Sequence, residues 1–135
     1  MIGEQPRAGS IGLVDEDLTG EIIGAAMSVH RELGPGLLES AYQASMCREL
    51  TLRGIPFQSQ LDIPVEYKGL RLDCGYRIDL LVDNQVVVEL KSIERFQRVH
   101  EAQLITYLRL SGVHVGLLIN FNVPALRQGI VRRVL

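Results

Sequence analysis

The stretch Arg77-Ile78-Asp79-Leu80-Leu81-Val82-Asp83-Asn84-Gln85-Val86-Val87-Val88-Glu89-Leu90-Lys91 decides how the rest of the chain is read. Its even positions (Ile78, Leu80, Val82, Val86, Val88, Leu90) are all apolar apart from the turn. The odd positions carry Arg77, Asp79, Asp83, Gln85, Glu89 and Lys91, with Leu81 and Val87 as apolar exceptions. Strand side chains alternate between faces, so this parity predicts two strands joined by Asp83-Asn84-Gln85, with the charges gathered on one face. A three-residue loop sets Asp79 opposite Glu89 and Arg77 opposite Lys91. A two-residue loop would pair Asp79 with Val88 and mix the faces, so the apolar pattern favours the odd loop.

Directly opposed residues have Cβ atoms about 5 Å apart, and two carboxylates at that separation repel. Compensating positive charge is therefore needed. Lys91 supplies one source, on the same face as Glu89 and roughly 7 Å along the strand. A divalent cation is the second. Hard oxygen ligands with open positions suit Mg²⁺ or Mn²⁺, which keep most of their waters and accept phosphate oxygens. The pattern points to metal-dependent phosphodiester hydrolysis, with Asp79 and Glu89 as ligands. The competing reading leaves the same charges solvated on the outer face of an amphipathic hairpin, with Lys91 a surface lysine paired to Glu89.

The chain has 135 residues, which is read as one domain with a single core over 17–135, after a loose lead-in over 1–16. Hydrophobic residues make up 47% and charged residues 22%, an ordinary globular balance. No apolar run approaches the roughly 20 residues of a membrane span. The first residues lack the basic and apolar stretches of a signal peptide, and Cys47 and Cys74 form neither a disulfide framework nor a zinc motif. The expectation is a cytoplasmic protein. Its net charge of −2 lacks the basic excess of a general duplex binder, although Arg95, Arg98 and Arg109, and then Arg127, Arg132 and Arg133, offer local patches.

Upstream of the hairpin, Leu18, Ile22, Ala26, Val29 and Leu33 form a one-sided helical stripe, capped by Asp17 or Thr19 and stopped by Gly34-Pro35-Gly36. A second helix is expected over 38–53, with Leu38, Ala41, Tyr42, Met46 and Leu50 buried and Gly54 as its cap. Residues 57–67 alternate as a half-exposed strand, with Pro64 marking an edge or a bulge. A third helix is expected over 99–111, a central buried strand over 113–121, and a short last strand near the C-terminus. The result is an α/β layered domain with a mixed central sheet flanked by helices.

Several segments then resemble one known family. Gly36-Leu37-Leu38-Glu39-Ser40-Ala41-Tyr42 matches the GxxExxY signature of the bacterial and archaeal family of that name, which is grouped with the PD-(D/E)XK nuclease superfamily. The resemblance runs from about Leu18 to Leu135. It takes in Val29-His30-Arg31-Glu32-Leu33-Gly34-Pro35-Gly36, Asp79-Leu80-Leu81-Val82, Glu89-Leu90-Lys91, Ala102-Gln103-Leu104-Ile105-Thr106-Tyr107-Leu108 and Asn120-Phe121. It implies a restriction-endonuclease-like core of αβββαβ type. Asp79 and Glu89 would hold the metal, and Lys91 would orient or activate the attacking water. Position 78 is Ile where the superfamily name has Pro.

Around this core the sequence offers further candidates, each with a plainer alternative. Glu39 opens the second helix, where a carboxylate suits the helix dipole; the resemblance makes it a further metal or water ligand. Tyr42, one turn later, either packs with a polar tip or contacts substrate. Gln103 and Tyr107 share a face of the third helix with His100, placed either to contact phosphate and hold Lys91 or simply to face solvent. His30 is read as a structural histidine and Asn120 as a turn cap. The functional expectation is a Mg²⁺-dependent (or Mn²⁺-dependent) nuclease acting on nucleic acid, DNA before RNA, with a homodimer as the arrangement that would cut two strands. The alternative is a catalytically silent module of the same fold that binds nucleic acid or a protein.

Overall fold

The computed structural model describes the backbone of residues 11–135 and the side chains of residues 17–135. Helices α1 (Ile11–Leu33) and α2 (Glu39–Leu52) lead into strands β1 (Phe57–Asp62), β2 (Val65–Tyr67), β3 (Leu70–Leu72), β4 (Arg77–Val82) and β5 (Val86–Lys91). Helix α3 (Arg98–Ser111), strand β6 (Val115–Asn120), a 3-10 turn (Leu126–Gly129) and strand β7 (Ile130–Val134) follow. Five strands form one mixed sheet in the order β1-β4-β5-β6-β7. Strands β2 and β3 pair separately as a small hairpin.

The hairpin at the centre has the expected odd loop. Asp83 and Asn84 both adopt positive φ, at 50° and 54°, and the Gln85 N–H bonds the Val82 carbonyl at 2.9 Å. Two successive left-handed residues are what a primed turn requires, and Asp and Asn tolerate that region better than most side chains. The ladder then pairs Val82 with Val86, Leu81 with Val87 and Leu80 with Val88. Strand β5 continues parallel to β6, and α3 provides the crossover that a parallel pair needs.

The sheet is covered on both sides. Leu80, Val82, Val86, Val88 and Leu90 pack with Leu117, Ile119 and Phe121 under Ile22, Ala26, Tyr42, Met46 and Leu50 of α1 and α2. Leu81, Val87 and Leu118 pack on the other side with Leu104, Tyr107 and Leu108 of α3. The face that carries the charges is therefore not an open, solvated one, which removes the competing reading of the hairpin. Leu81 and Val87, the two exceptions to the charged parity, are the residues that α3 covers. Gly116 lets α3 approach, since a Cβ there would lie 2.8 Å from the Leu104 side chain.

Several boundaries differ from the sequence reading. Helix α1 is already formed at Ile11, so Asp17 and Thr19 lie inside it rather than at its start; residues 1–10 of the expected lead-in lie outside the described residues. Leu33 and Leu38, placed in the buried stripes, are 38% and 77% exposed. The expected strand over 57–67 breaks at Ile63-Pro64, because proline cannot donate to a ladder, and its second part pairs within the small hairpin instead. Strand β6 is interior, with all six residues buried, but the middle of the sheet is β5.

Gly129 joins the 3-10 turn to β7 and packs against the end of β6, where a methyl group would collide with the Asn120 carbonyl oxygen. That obstacle is backbone and cannot rotate away. Gly129→Ala should lower stability by about 2 kcal/mol or more in urea unfolding, and an unchanged midpoint would show that this contact is slack.

Candidate functional site

The site forms where β4 and β5 stop pairing. The observed register would place Asp79 against Glu89, but the ladder ends at Leu80 and Val88. Side chains take over from there. The Asp79 N–H donates to Glu89 Oε2 at 2.9 Å, and the Leu90 N–H donates to Asp79 Oδ2 at 2.8 Å. Each carboxylate thus accepts a backbone donor of the opposite strand. This reciprocal exchange lets two acids face each other where a plain ladder would leave them repelling.

Glu89 is only 3% exposed. Burial and the neighbouring Asp79 charge push its carboxyl from the ordinary 4.5 up to about 8, against the opposing pull of the Asp79 N–H and Lys91. Asp79, half-buried, is also raised, chiefly by desolvation; the Leu90 N–H, Lys91 and hydrogen bonding from Gln60 favour its charged form. Among the described residues Glu89 accepts that one hydrogen bond, far below a carboxylate's capacity. A buried, under-satisfied pair of hard oxygen donors beside a cation is a set that a divalent metal ion completes, so the residues present fit one.

Helix α3 supplies the support for Lys91. Its Nζ donates to Gln103 Oε1 at 3.3 Å, and Gln103 Nε2 donates to the Tyr107 hydroxyl at 3.0 Å. Lys91 makes no ion pair with Glu89 among the described residues, contrary to the surface-lysine alternative. Tyr107 is 4% exposed, and burial and the Glu89 charge raise its hydroxyl above its ordinary value. Gln103 and Tyr107 therefore face the site rather than solvent. His100 does not join them: its Nδ1 accepts the Gln97 N–H at the start of α3.

Helix α2 approaches from the other side. Glu39 is its first residue and exposed, yet its carboxyl is partly desolvated and raised, with Lys91 lowering and Asp79 raising it in turn. It feels the site electrostatically. Among the described residues no three acidic, histidine or cysteine side chains converge as a metal-holding group. One turn on, Gln43 Nε2 donates to the Asp79 carbonyl at 3.1 Å.

Tyr42 packs with a polar tip, the first of its two expected roles. It is fully buried, stacks on Phe121 with ring centroids 4.4 Å apart, donates its hydroxyl to the Gly34 carbonyl at 2.5 Å and accepts the Leu37 N–H at 3.1 Å. Gly34 and Gly36, at φ of 70° and 97°, make the tight loop that Tyr42 fastens. That loop in turn meets the site, because Ser92 Oγ, next to Lys91, donates to the Leu37 carbonyl at 2.6 Å. Tyr42 thereby fastens the loop that meets the site. His30 is structural as expected, bonding the Val123 carbonyl through Nε2 at 2.8 Å.

Asn120 does more than cap a turn. Its Oδ1 accepts the Ile93 N–H at 3.0 Å and the Asn122 N–H at 3.1 Å, while Nδ2 donates to the Ile93 carbonyl at 2.9 Å. With the Phe121 N–H on the Lys91 carbonyl at 2.9 Å, it pins the chain directly after Lys91.

The profile of the PD-(D/E)XK nuclease superfamily matches residues 16–134, spanning both the sheet and the Asp79, Glu89 and Lys91 cluster. The chain belongs to the PD-(D/E)XK nuclease superfamily. No curated protein and no solved structure gave a match. As a superfamily member the chain has the expected α/β core with a mixed sheet flanked by helices. Gln43 and Gln60 were missing from the sequence reading. The spacing of four from Glu39 to Gln43, one helical face, could have found the first; nothing in the strand pattern marked Gln60.

A folded-state pKa above the unfolded value contributes stability below the unfolded pKa and loses it as pH rises through the folded one. For Glu89 that window runs from 4.5 to about 8. Metal-free protein should lose melting temperature as pH rises across it. Glu89→Gln should flatten the profile and be more stable at pH 8 by on the order of 3 kcal/mol. Parallel profiles for the two proteins in chelator would contradict the burial account.

Proposed function

We propose that the protein is a Mg²⁺- or Mn²⁺-dependent nuclease that hydrolyses phosphodiester bonds, with Asp79 and Glu89 holding the cation and Lys91 acting on the attacking water and the reacting phosphate. The observation that carries this reading is half-buried Asp79 paired with buried Glu89, with a glutamine-held lysine beside them. Superfamily membership supports nuclease chemistry in general terms. A cation at the two carboxylates supplies charge neutralisation of the phosphate and a bound water of lowered pKa.

The chain's own groups divide the remaining work. Asp79 and Glu89 are held by backbone donors, so little reorganisation is needed when their charge is used. Lys91 offers three donors, of which Gln103 takes one and fixes the direction of the rest. An ammonium held this way can orient water and stabilise charge developing on the phosphoryl oxygens. Gln103 and Tyr107 act by positioning Lys91, and Glu39 tunes the local field at the mouth of the site. The resemblance to the GxxExxY family is consistent with this arrangement, because Gly36, Glu39 and Tyr42 shape the loop and helix start that flank it.

Asp79→Ala should abolish both Mn²⁺ binding in calorimetry and cleavage of plasmid and single-stranded DNA. Lys91→Ala should retain Mn²⁺ binding while losing at least about 100-fold in cleavage. Full cleavage by both variants would overturn the assignment. Mn²⁺ binding by wild-type protein without cleavage of DNA or RNA would favour the silent binding module, which the net charge of −2 also suits.

A further inference from the structure

Two interruptions of the sheet meet at one cross-strand position. The β1–β4 ladder pairs Phe57 with Val82, Gln58 with Leu81 and Ser59 with Leu80, and resumes with Leu61 and Ile78; the rung between Gln60 and Asp79 is skipped. Both strands change face across the gap. Phe57, Leu80 and Val82 pack under α1 and α2, whereas Leu61 and Ile78 pack under α3. An uninterrupted strand returns to the same face every second residue, so each strand turns over here. Gln60 carries the turn, with φ at 52°. Left-handed backbone is costly for a residue with a Cβ and persists where surrounding interactions impose it. Gln60 is exposed, so burial of its own side chain does not impose it.

We propose that Gln60 is a positioning residue of the metal centre, its left-handed backbone directing the carboxamide at the Asp79 carboxylate and fixing that carboxylate's orientation. The proposal rests on the divalent-cation reading above. Having left the ladder, Asp79 has its N–H bound by Glu89, its carbonyl by Gln43 and its Oδ2 by the Leu90 N–H. The remaining carboxylate capacity is what Gln60 addresses. The Gln60 side chain hydrogen-bonds Asp79 across the skipped rung, in keeping with this role. Strand β1 is an edge strand with β4 as its one neighbour, so it can give up a rung without unpairing a third strand. Groups that orient metal ligands through a second layer of hydrogen bonds govern affinity even though they never touch the ion.

Gln60→Gly and Gln60→Asn both suit a left-handed backbone, and neither reaches as far as glutamine. Each is to be compared with wild type by metal-free melting, Mn²⁺ calorimetry and amide hydrogen exchange at Leu90, whose N–H bonds the Asp79 carboxylate. The Gly variant should melt about 2–4 °C higher as backbone strain is relieved. Both variants should bind Mn²⁺ about 10-fold more weakly and exchange Leu90 faster despite undiminished global stability. Mn²⁺ affinity within about twofold of wild type in both variants would overturn the proposal. So would Leu90 exchange that simply follows global stability, or a lower melting temperature in the Gly variant, which would make Gln60 structural. If wild-type protein binds no Mn²⁺, the cation reading itself fails, and Leu90 exchange alone decides whether Gln60 orients Asp79.

Discussion

The exchange of hydrogen bonds between Asp79 and Glu89 is the constraint on which the rest depends. Two acids face each other across antiparallel strands, and one of them is nearly dry. A regular ladder would give neither carboxylate a donor. Ending it at Leu80 and Val88 frees the Asp79 and Leu90 N–H groups to bind the two carboxylates instead. The sheet gives up regular pairing at the place where its charge is concentrated. The burial that raises Glu89 leaves the pair short of compensating charge, which is what a divalent cation would add under the proposed function.

Everything packed around this point serves to hold it. Helix α3 covers one face with Leu104 and Leu108 and brings Gln103 and Tyr107 to Lys91. Helix α2 covers the other with Met46 and Leu50 and brings Gln43 to the Asp79 carbonyl. The chain leaving Lys91 is pinned twice, by Asn120 at Ile93 and by the Leu37 carbonyl at Ser92. A catalytic constellation needs supports of this kind because small misplacements of its groups cost large factors in rate. Asp79, Glu89 and Lys91 lie on rigid strands, with their supports on the two flanking layers.

The three-residue turn, the strand pair and the acid, acid and lysine cluster were legible in the sequence, because each follows from parity within one short segment. Leu81 and Val87 also signalled a second buried face, although that signal is clear only once α3 is seen above them. What was not legible depends on contacts far apart in the chain. Tyr42 reads as a site residue by its spacing from Glu39, and it becomes a loop fastener because Phe121 lies beneath it. Ile78 fits the even parity, yet it crosses to the α3 side because the strand turns over at Asp79. Glu39 reads as an ordinary helix-start acid from its place in the chain, and only the family resemblance makes it a metal or water ligand. No helix among the described residues is long and apolar enough to cross a membrane, in line with the short apolar runs of the sequence.

A cation at the Asp79 and Glu89 pair reveals itself in the number of protons released when Mn²⁺ binds, measured by calorimetry in buffers of different ionisation enthalpy. Glu89 sits at about 8 without metal, so at pH 7 its carboxyl is mostly protonated. A cation bound at Asp79 and Glu89 must displace that proton, so roughly one proton should be released per Mn²⁺ at pH 7, vanishing by pH 9 and absent in Glu89→Gln. Mn²⁺ binding with no proton release at pH 7 would place the ion away from Glu89 and remove the pair as its site.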